Sequence, residues 1–193
     1  MGNPKGFTLV EIVVIIALLG IIAAIATPTF REARNNNHIK TATFTLGTAM
    51  SYARNEAITR GTSVTICRSA NPNATDSPTG TIAPSCSTAA GTGWETGYIV
   101  FVDTAGDGIR NAGEELLRVF PPSRGNIVIQ GVTSSTPTAA PLNSMTYPPT
   151  GFGRDMGGTI TAGLPGAGGV DTSKTHFDIT IDRNGRFTTS GPK

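Results

Sequence analysis

Residues 7–26, "FTLVEIVVIIALLGIIAAIA", are 20 positions carrying one charge, Glu11. At about 1.5 Å of rise per residue such a run spans roughly 30 Å as a helix, the thickness of a bilayer's hydrocarbon core. Helical periodicity resumes beyond Pro28. Ile39, Ala42, Leu46, Ala49, Ala53 and Ala57 recur at spacings of 3, 4, 3, 4 and 4, one face of a helix whose small members would let a sheet lie close. Arg60 and Gly61 supply a cation and a glycine to end it. The pattern therefore predicts one long helix, apolar all round over residues 7–29, amphipathic over 30–61, and bent at Pro28, where a backbone donor is missing. After Gly61 the period becomes two. "TSVTICR", "GYIVFVD", "ELLRVF", "NIVIQGV", "HFDITID" and "RFTTS" alternate as strands between glycine, proline and asparagine. The last two are joined through Asn184-Gly185, a strong hairpin signal. Residues 133–175, rich in Gly, Pro, Ser and Thr, predict short strands on long surface loops, and the β-rich domain as a whole covers residues 62–193.

Composition narrows the function. At 193 residues the chain holds one ordinary domain besides its apolar segment, and a net charge of +2 is too small to mark a nucleic-acid protein. The two histidines, His38 and His176, have no paired nucleophile in a recognisable motif, and no GxSxG or phosphate loop occurs. No enzyme and no cofactor is indicated. Zinc is disfavoured too, since the two cysteines, Cys67 and Cys86, form no CxxC and lie far from either histidine. In an exported chain they would form one disulfide, worth roughly 3 kcal/mol across a loop of about 20 residues, whereas a reducing compartment would keep them as thiols.

The leader "MGNPKG" is too short and its apolar core begins too soon for an ordinary cleaved secretory signal. "GFTLVE" at residues 6–11, followed by an apolar helix and a proline, resembles the signal of type IV pilins and type II secretion pseudopilins. In that family a prepilin peptidase cuts after the glycine and methylates the new amino terminus. The resemblance thus implies loss of residues 1–6 by cleavage between Gly6 and Phe7, and N-methylation of Phe7. "SYARNEAITRGTSVTICRS", "GWETGYIVFVD", "GEELLRVF" and a terminal "NGRF" are similar to the GspH/FimT group of minor pilins within that superfamily. Membership implies an α+β pilin fold, with the long helix packed on an antiparallel β-sheet domain. It also implies a structural role as a minor subunit of a type IV pilus or type II secretion pseudopilus, in an initiation or tip complex. Partners would be other pilins, the prepilin peptidase and an inner-membrane assembly platform. Before assembly the chain would cross the inner membrane once, with a cytoplasmic amino terminus, to which Lys5 contributes one positive charge, and a periplasmic β domain.

Three charged groups remain to be weighed. Glu11 sits near a helix start, where the helix dipole favours an acid. By resemblance it instead pairs with the α-amino group of Phe7 on a neighbouring subunit, checking register because a misplaced subunit leaves both charges unpaired. Asp103, Asp107 and Glu114 occupy positions 1, 5 and 12 of a calcium-loop spacing with glycine at 6, but position 3 is Ala105, and a polar turn between strands is the plainer reading. Arg183, Arg186 and Lys193 follow the last acid, Asp182. DNA-uptake pilins of the FimT kind carry a GRxR-like basic motif there. This chain has "GRFT", with Thr188 in place of the second arginine, so DNA binding is the alternative rather than the main expectation.

Overall fold

The computed structural model describes residues 6–75, 82–90, 93–133, 140–153 and 156–193, apart from the side chains of residues 25–29. Lys5 and the rest of the leader before Gly6 lie outside the described residues. The chain divides into two compact units, Met1–Asn35 and Asn36–Lys193. One helix, α1 (Leu9–Arg60), contributes to both.

In the first unit α1 starts behind a threonine cap: the Thr8 hydroxyl accepts the Glu11 N–H at 3.3 Å. From Leu9 to Ile22 every large apolar side chain is exposed, between 42% (Ile15) and 79% (Leu9). The helix continues through position 28, whose side chain lies outside the described residues, so the expected bend at Pro28 stays an expectation. Among the described residues no helix is long and apolar enough to cross a membrane. Described side chains of the apolar run cover helical residues 9–24, 16 positions or about 24 Å, against a core of roughly 30 Å.

The second unit, called the head below, is built on the amphipathic half of α1. Hydroxyls that would compete with the helix backbone are absorbed by it: Thr43, Thr45, Thr48 and Ser51 each donate to the carbonyl four residues back. The face read from the sequence is buried, with Ile39, Leu46, Ala49, Ala53 and Ala57 fully so and Ala42 nearly so, joined by Met50. Arg60 closes the helix by pairing with Glu56 at 2.6 Å and Glu115 at 2.7 Å, and Gly61 takes φ +65° beyond it.

Among the described residues ten strands follow: β1 (Val64–Arg68), β2 (Tyr98–Val102), β3 (Leu116–Phe120), β4 (Val128–Thr133), β5 (Ser144–Tyr147), β6 (Gly158–Gly163), β7 (Pro165–Gly166), β8 (Gly169–Val170), β9 (His176–Ile181) and β10 (Phe187–Ser190). They form two antiparallel four-stranded sheets, ordered β3-β2-β1-β5 and β10-β9-β6-β4, with β7 and β8 as a small ribbon. The segment 140–142 links the sheets. It pairs with β4 through Thr133 N–H to Ala140 O and Leu142 N–H to Gly131 O, then runs on into β5.

Two features depart from the sequence expectation. Residues 133–175 hold more than short strands on surface loops, because β6 lies between β4 and β9 with Ile160 and Ala162 buried. Its glycines are there for space: a Cβ on Gly158 would lie 2.5 Å from the Val132 carbonyl oxygen. Nor do β1 and β2 alternate between core and solvent, since all ten residues are buried. Val64, Ile66, Tyr98 and Val100 join the main core with the helix face and Trp94. Cys67, Ile99 and Phe101 form a second core on the opposite face with Cys86, Leu116 and Val119.

Cys67 and Cys86 are disulfide-bonded across 19 residues, so the bond ties a cover onto that outer face. Arg68 reinforces it, donating to the carbonyls of Ser87 at 2.8 Å and Ala89 at 2.7 Å. Replacing both cysteines by serine is expected to lower unfolding free energy by about 3 kcal/mol and to expose residues 82–90 to proteolysis, read by urea unfolding and limited digestion.

Candidate assembly segment and head surfaces

Gly6, Phe7 and Thr8 precede α1 in non-helical, exposed chain. A Cβ on Gly6 would meet no atom within 4 Å, so the Gly6–Phe7 peptide bond stands clear of the described structure. Glu11 is exposed in the first helical turn. Its N–H is the donor held by Thr8, and Ile12 N–H reaches the Thr8 carbonyl at 3.3 Å. The sequence carried this signal in plain form, as the Thr-x-x-Glu spacing of a capping box, and the reading above did not use it.

The loop between β2 and β3 gathers Asp103, Asp107 and Glu114, and each carboxylate is engaged by nearby protein donors. Asp103, 1% exposed, accepts from the Thr65 hydroxyl and from the N–H groups of Gly106 and Gly108. Glu114 accepts from the N–H groups of Thr104, Ala105 and Asn111. The Asp107 carboxyl is held below its usual range by the Asn111 amide and the Ile109 N–H. Among the described residues no group of three or more His, Cys, Asp or Glu side chains could hold a metal ion. The carboxylates thus act as the loop's internal acceptors, organising its backbone.

The C-terminal cations do not form one cluster. Lys193 is paired with Asp178 at 2.7 Å, at the far end of the β9–β10 hairpin from its turn. Arg183 and Arg186 stand exposed at that turn, a three-residue loop that contains Asn184-Gly185. Gly185 takes φ +74° and donates to the Asp182 carbonyl, while the Asp182 carboxylate accepts from the N–H groups of Asn184 and Arg186. Nearby, burial pushes the Tyr147 hydroxyl up to about 12, against the opposing pull of Arg54. Arg54 lies over the exposed ring of Phe152 at 5.2 Å.

Sequence reasoning also missed Glu95. Its carboxylate accepts from Gly93 N–H at 2.9 Å and Ile129 N–H at 2.8 Å, tying the turn that carries Trp94 to the start of β4. The Trp94 indole N–H in turn donates to the Leu142 carbonyl.

Removing the Asp103 acceptor strands two backbone donors, the N–H groups of Gly106 and Gly108. Asp103→Ala is expected to cost about 2–3 kcal/mol in urea unfolding, and millimolar calcium is expected to leave the thermal midpoint of the unaltered protein where it was. A calcium-dependent rise would restore the metal-loop reading.

Comparison with known proteins follows this geometry. The family described as Type II transport protein GspH matches residues 42–185, and the prokaryotic N-terminal methylation motif matches residues 1–27. Among solved structures, the type IV minor pilin FimU of Pseudomonas aeruginosa (strain PAO1) is similar in fold, with a TM-score of 0.53 at 16% identity over 81% of this chain and 90% of that one. No curated protein matches. With a family match over about three quarters of its length, behind a methylation signal and with the long helix and antiparallel sheets of a pilin, the chain belongs to the GspH family of type IV pilin-like structural subunits and is not an enzyme.

Proposed function

We propose that the chain is a minor pilin or pseudopilin, processed between Gly6 and Phe7, methylated on the Phe7 nitrogen, and assembled through the first half of α1 into a pilus or pseudopilus. The carrying observation is that half itself. A soluble head does not need a helix whose large apolar side chains are all exposed from Leu9 to Ile22, and so much apolar surface requires a lipid or protein surrounding. The inner membrane would hold it before assembly, with the head in the periplasm, and neighbouring pilin helices afterwards. The disulfide supports the oxidising side for the head. Assembly at the initiation or tip complex, with the platform and peptidase as partners, belongs to this reading.

In that setting Glu11 is a lone carboxylate among apolar neighbours, costly in lipid or in a filament core unless paired. Cleavage creates the cation it lacks, the Phe7 amino group. Pairing across two subunits accounts for keeping an acid here, because only the correct stagger satisfies both charges. Glu11→Ala is expected to reach the membrane and to be processed, as read by the mass of a 187-residue mature chain beginning at N-methylated Phe7, yet to be recovered poorly in sheared filaments. Normal incorporation of that variant would sink the assembly role.

DNA binding has the exposed Arg183 and Arg186 in its favour, though Lys193 is already neutralised by Asp178. Two cations give few phosphate contacts, so gel shifts with duplex DNA at low salt are expected to show no retarded species. A salt-sensitive shift lost in Arg183→Ala/Arg186→Ala would instead establish the nucleic-acid role.

A further inference from the structure

Of the outer strands of the two four-stranded sheets, β3 and β10 lie away from the 140–142 link, and the two are unlike. At β3 the edge is blunted. Arg118 stands mid-strand with its guanidinium 5.5 Å from the Tyr52 ring and 5.1 Å from the Phe120 ring, and Pro121-Pro122 follow directly. Charge, proline and a side chain folded back onto the helix are ordinary ways of keeping other strands off an edge. By contrast β10, Phe-Thr-Thr-Ser, contains neither charge nor proline within the strand, with Arg186 before it and Pro192 beyond Gly191, and Thr188, Thr189 and Ser190 are exposed.

The direction of its free backbone groups follows from the ladder. Asp182 N–H donates to the Arg186 carbonyl at 2.8 Å, and Thr188 and Ser190 lie opposite Thr180 and Asp178. In an antiparallel pair hydrogen-bonded positions alternate, so Thr188 and Ser190 bond to β9 while the N–H and C=O of Phe187 and Thr189 point away from it. Beside this edge runs a groove of about 430 Å³ lined by Asn37, Lys40 and Phe44 of α1 and by Phe177, Thr189 and Pro192. Phe44 is 53% exposed in it, with the Lys40 ammonium 6.0 Å from its ring. Among the described residues neither Lys40 nor Arg186, in the turn before β10, makes a salt bridge, and Asp178 is already occupied by Lys193. The vicinity offers donors, acceptors, apolar floor and uncompensated positive charge.

We propose that the β10 edge takes up an extended segment from the head of another pilin subunit as an added strand, with an acidic residue of that segment facing Lys40. This rests on the filament reading above. Main-chain bonds to Phe187 and Thr189 would hold the segment, and alternate side chains would enter the groove against Phe44. Complementary charge selects an acidic strand and disfavours a second copy of this edge, which would bring like charges together.

Thr189→Pro tests the edge directly, because it removes an outward N–H that β9 does not use, a place where a sheet tolerates proline. In cells producing the full chain, Thr189→Pro is expected to leave the thermal unfolding midpoint of the detergent-extracted protein unchanged while lowering its recovery in sheared filaments about tenfold or more. Thr189→Val, which keeps the N–H, should be recovered normally, and Lys40→Glu should be recovered poorly. Should Thr189→Pro unfold the head, Lys40→Glu carries the test, since its side chain lies outside the sheet. A photo-crosslinker at Thr188 should give an adduct with another pilin through an acid-containing extended segment. Unchanged recovery of both Thr189→Pro and Lys40→Glu, or adducts only with a second copy or with lipid, would overturn the proposal while leaving the filament reading standing. Absence of the unaltered chain from filaments would bring down both.

Discussion

Alanine or glycine at positions 42, 47, 49, 53 and 57 leaves α1 with little side chain between its backbone and the strands. Everything else in the head is arranged around the close approach this allows. Ile39, Leu46 and Met50 stand between the small residues as knobs, and Val64, Ile66, Trp94 and Tyr147 join them in one core. At Gly47 the fit is tight enough that a Cβ would lie 3.1 Å from the Phe187 ring. A bulkier helix face would push the strands outward and open voids that nothing in the chain is large enough to fill.

Close packing on one side leaves the other side of β1 and β2 to be dealt with. A head of this size might have turned polar residues outward there; instead the chain buries both faces and covers the second with a proline- and serine-rich segment of little core-forming power. Such a cover needs fastening by other means. Here these are the disulfide, the two carbonyls held by Arg68, and the Arg110 guanidinium donating to the Pro84 carbonyl. Asp103 and Glu114 perform the matching task for the neighbouring loop by accepting the backbone donors that a tight polar turn leaves unbonded.

What could be read beforehand follows from periodicity. The buried stripe of α1 was legible because its residues recur at helical spacing and change size rather than character. The strands β1, β2, β3, β4, β9 and β10 were legible because each contains at least one β-branched or aromatic residue between turn formers. β6 was read only as one of the short strands within residues 133–175, since Gly158 and Gly163 at its ends imitate a loop, although close neighbours impose them. Full burial of β1 and β2 was hidden as well: what covers an outer face is a long-range fact, and residues 82–90 carry no periodic signal. Of the candidate assembly segment, Gly6, Phe7 and Glu11 were legible as a motif, while the role of Thr8 lay in the same letters and needed the helix start to be seen. Asp103 and Glu114 face rows of amide protons, a feature that spacing alone does not reveal.

Finally, the two ends of the strand system differ in kind. One is capped by Arg118 and a proline pair, and the other is bare beside its groove. A two-fold axis relates identical surfaces, so it can use either edge only against itself. A contact that matches one edge with some other surface has no such axis. It leaves an unsatisfied copy of each surface behind, and repetition then builds a ring where the rotation closes and an open screw where it does not. Unlike edges on one head therefore favour a directional contact over a two-fold pair.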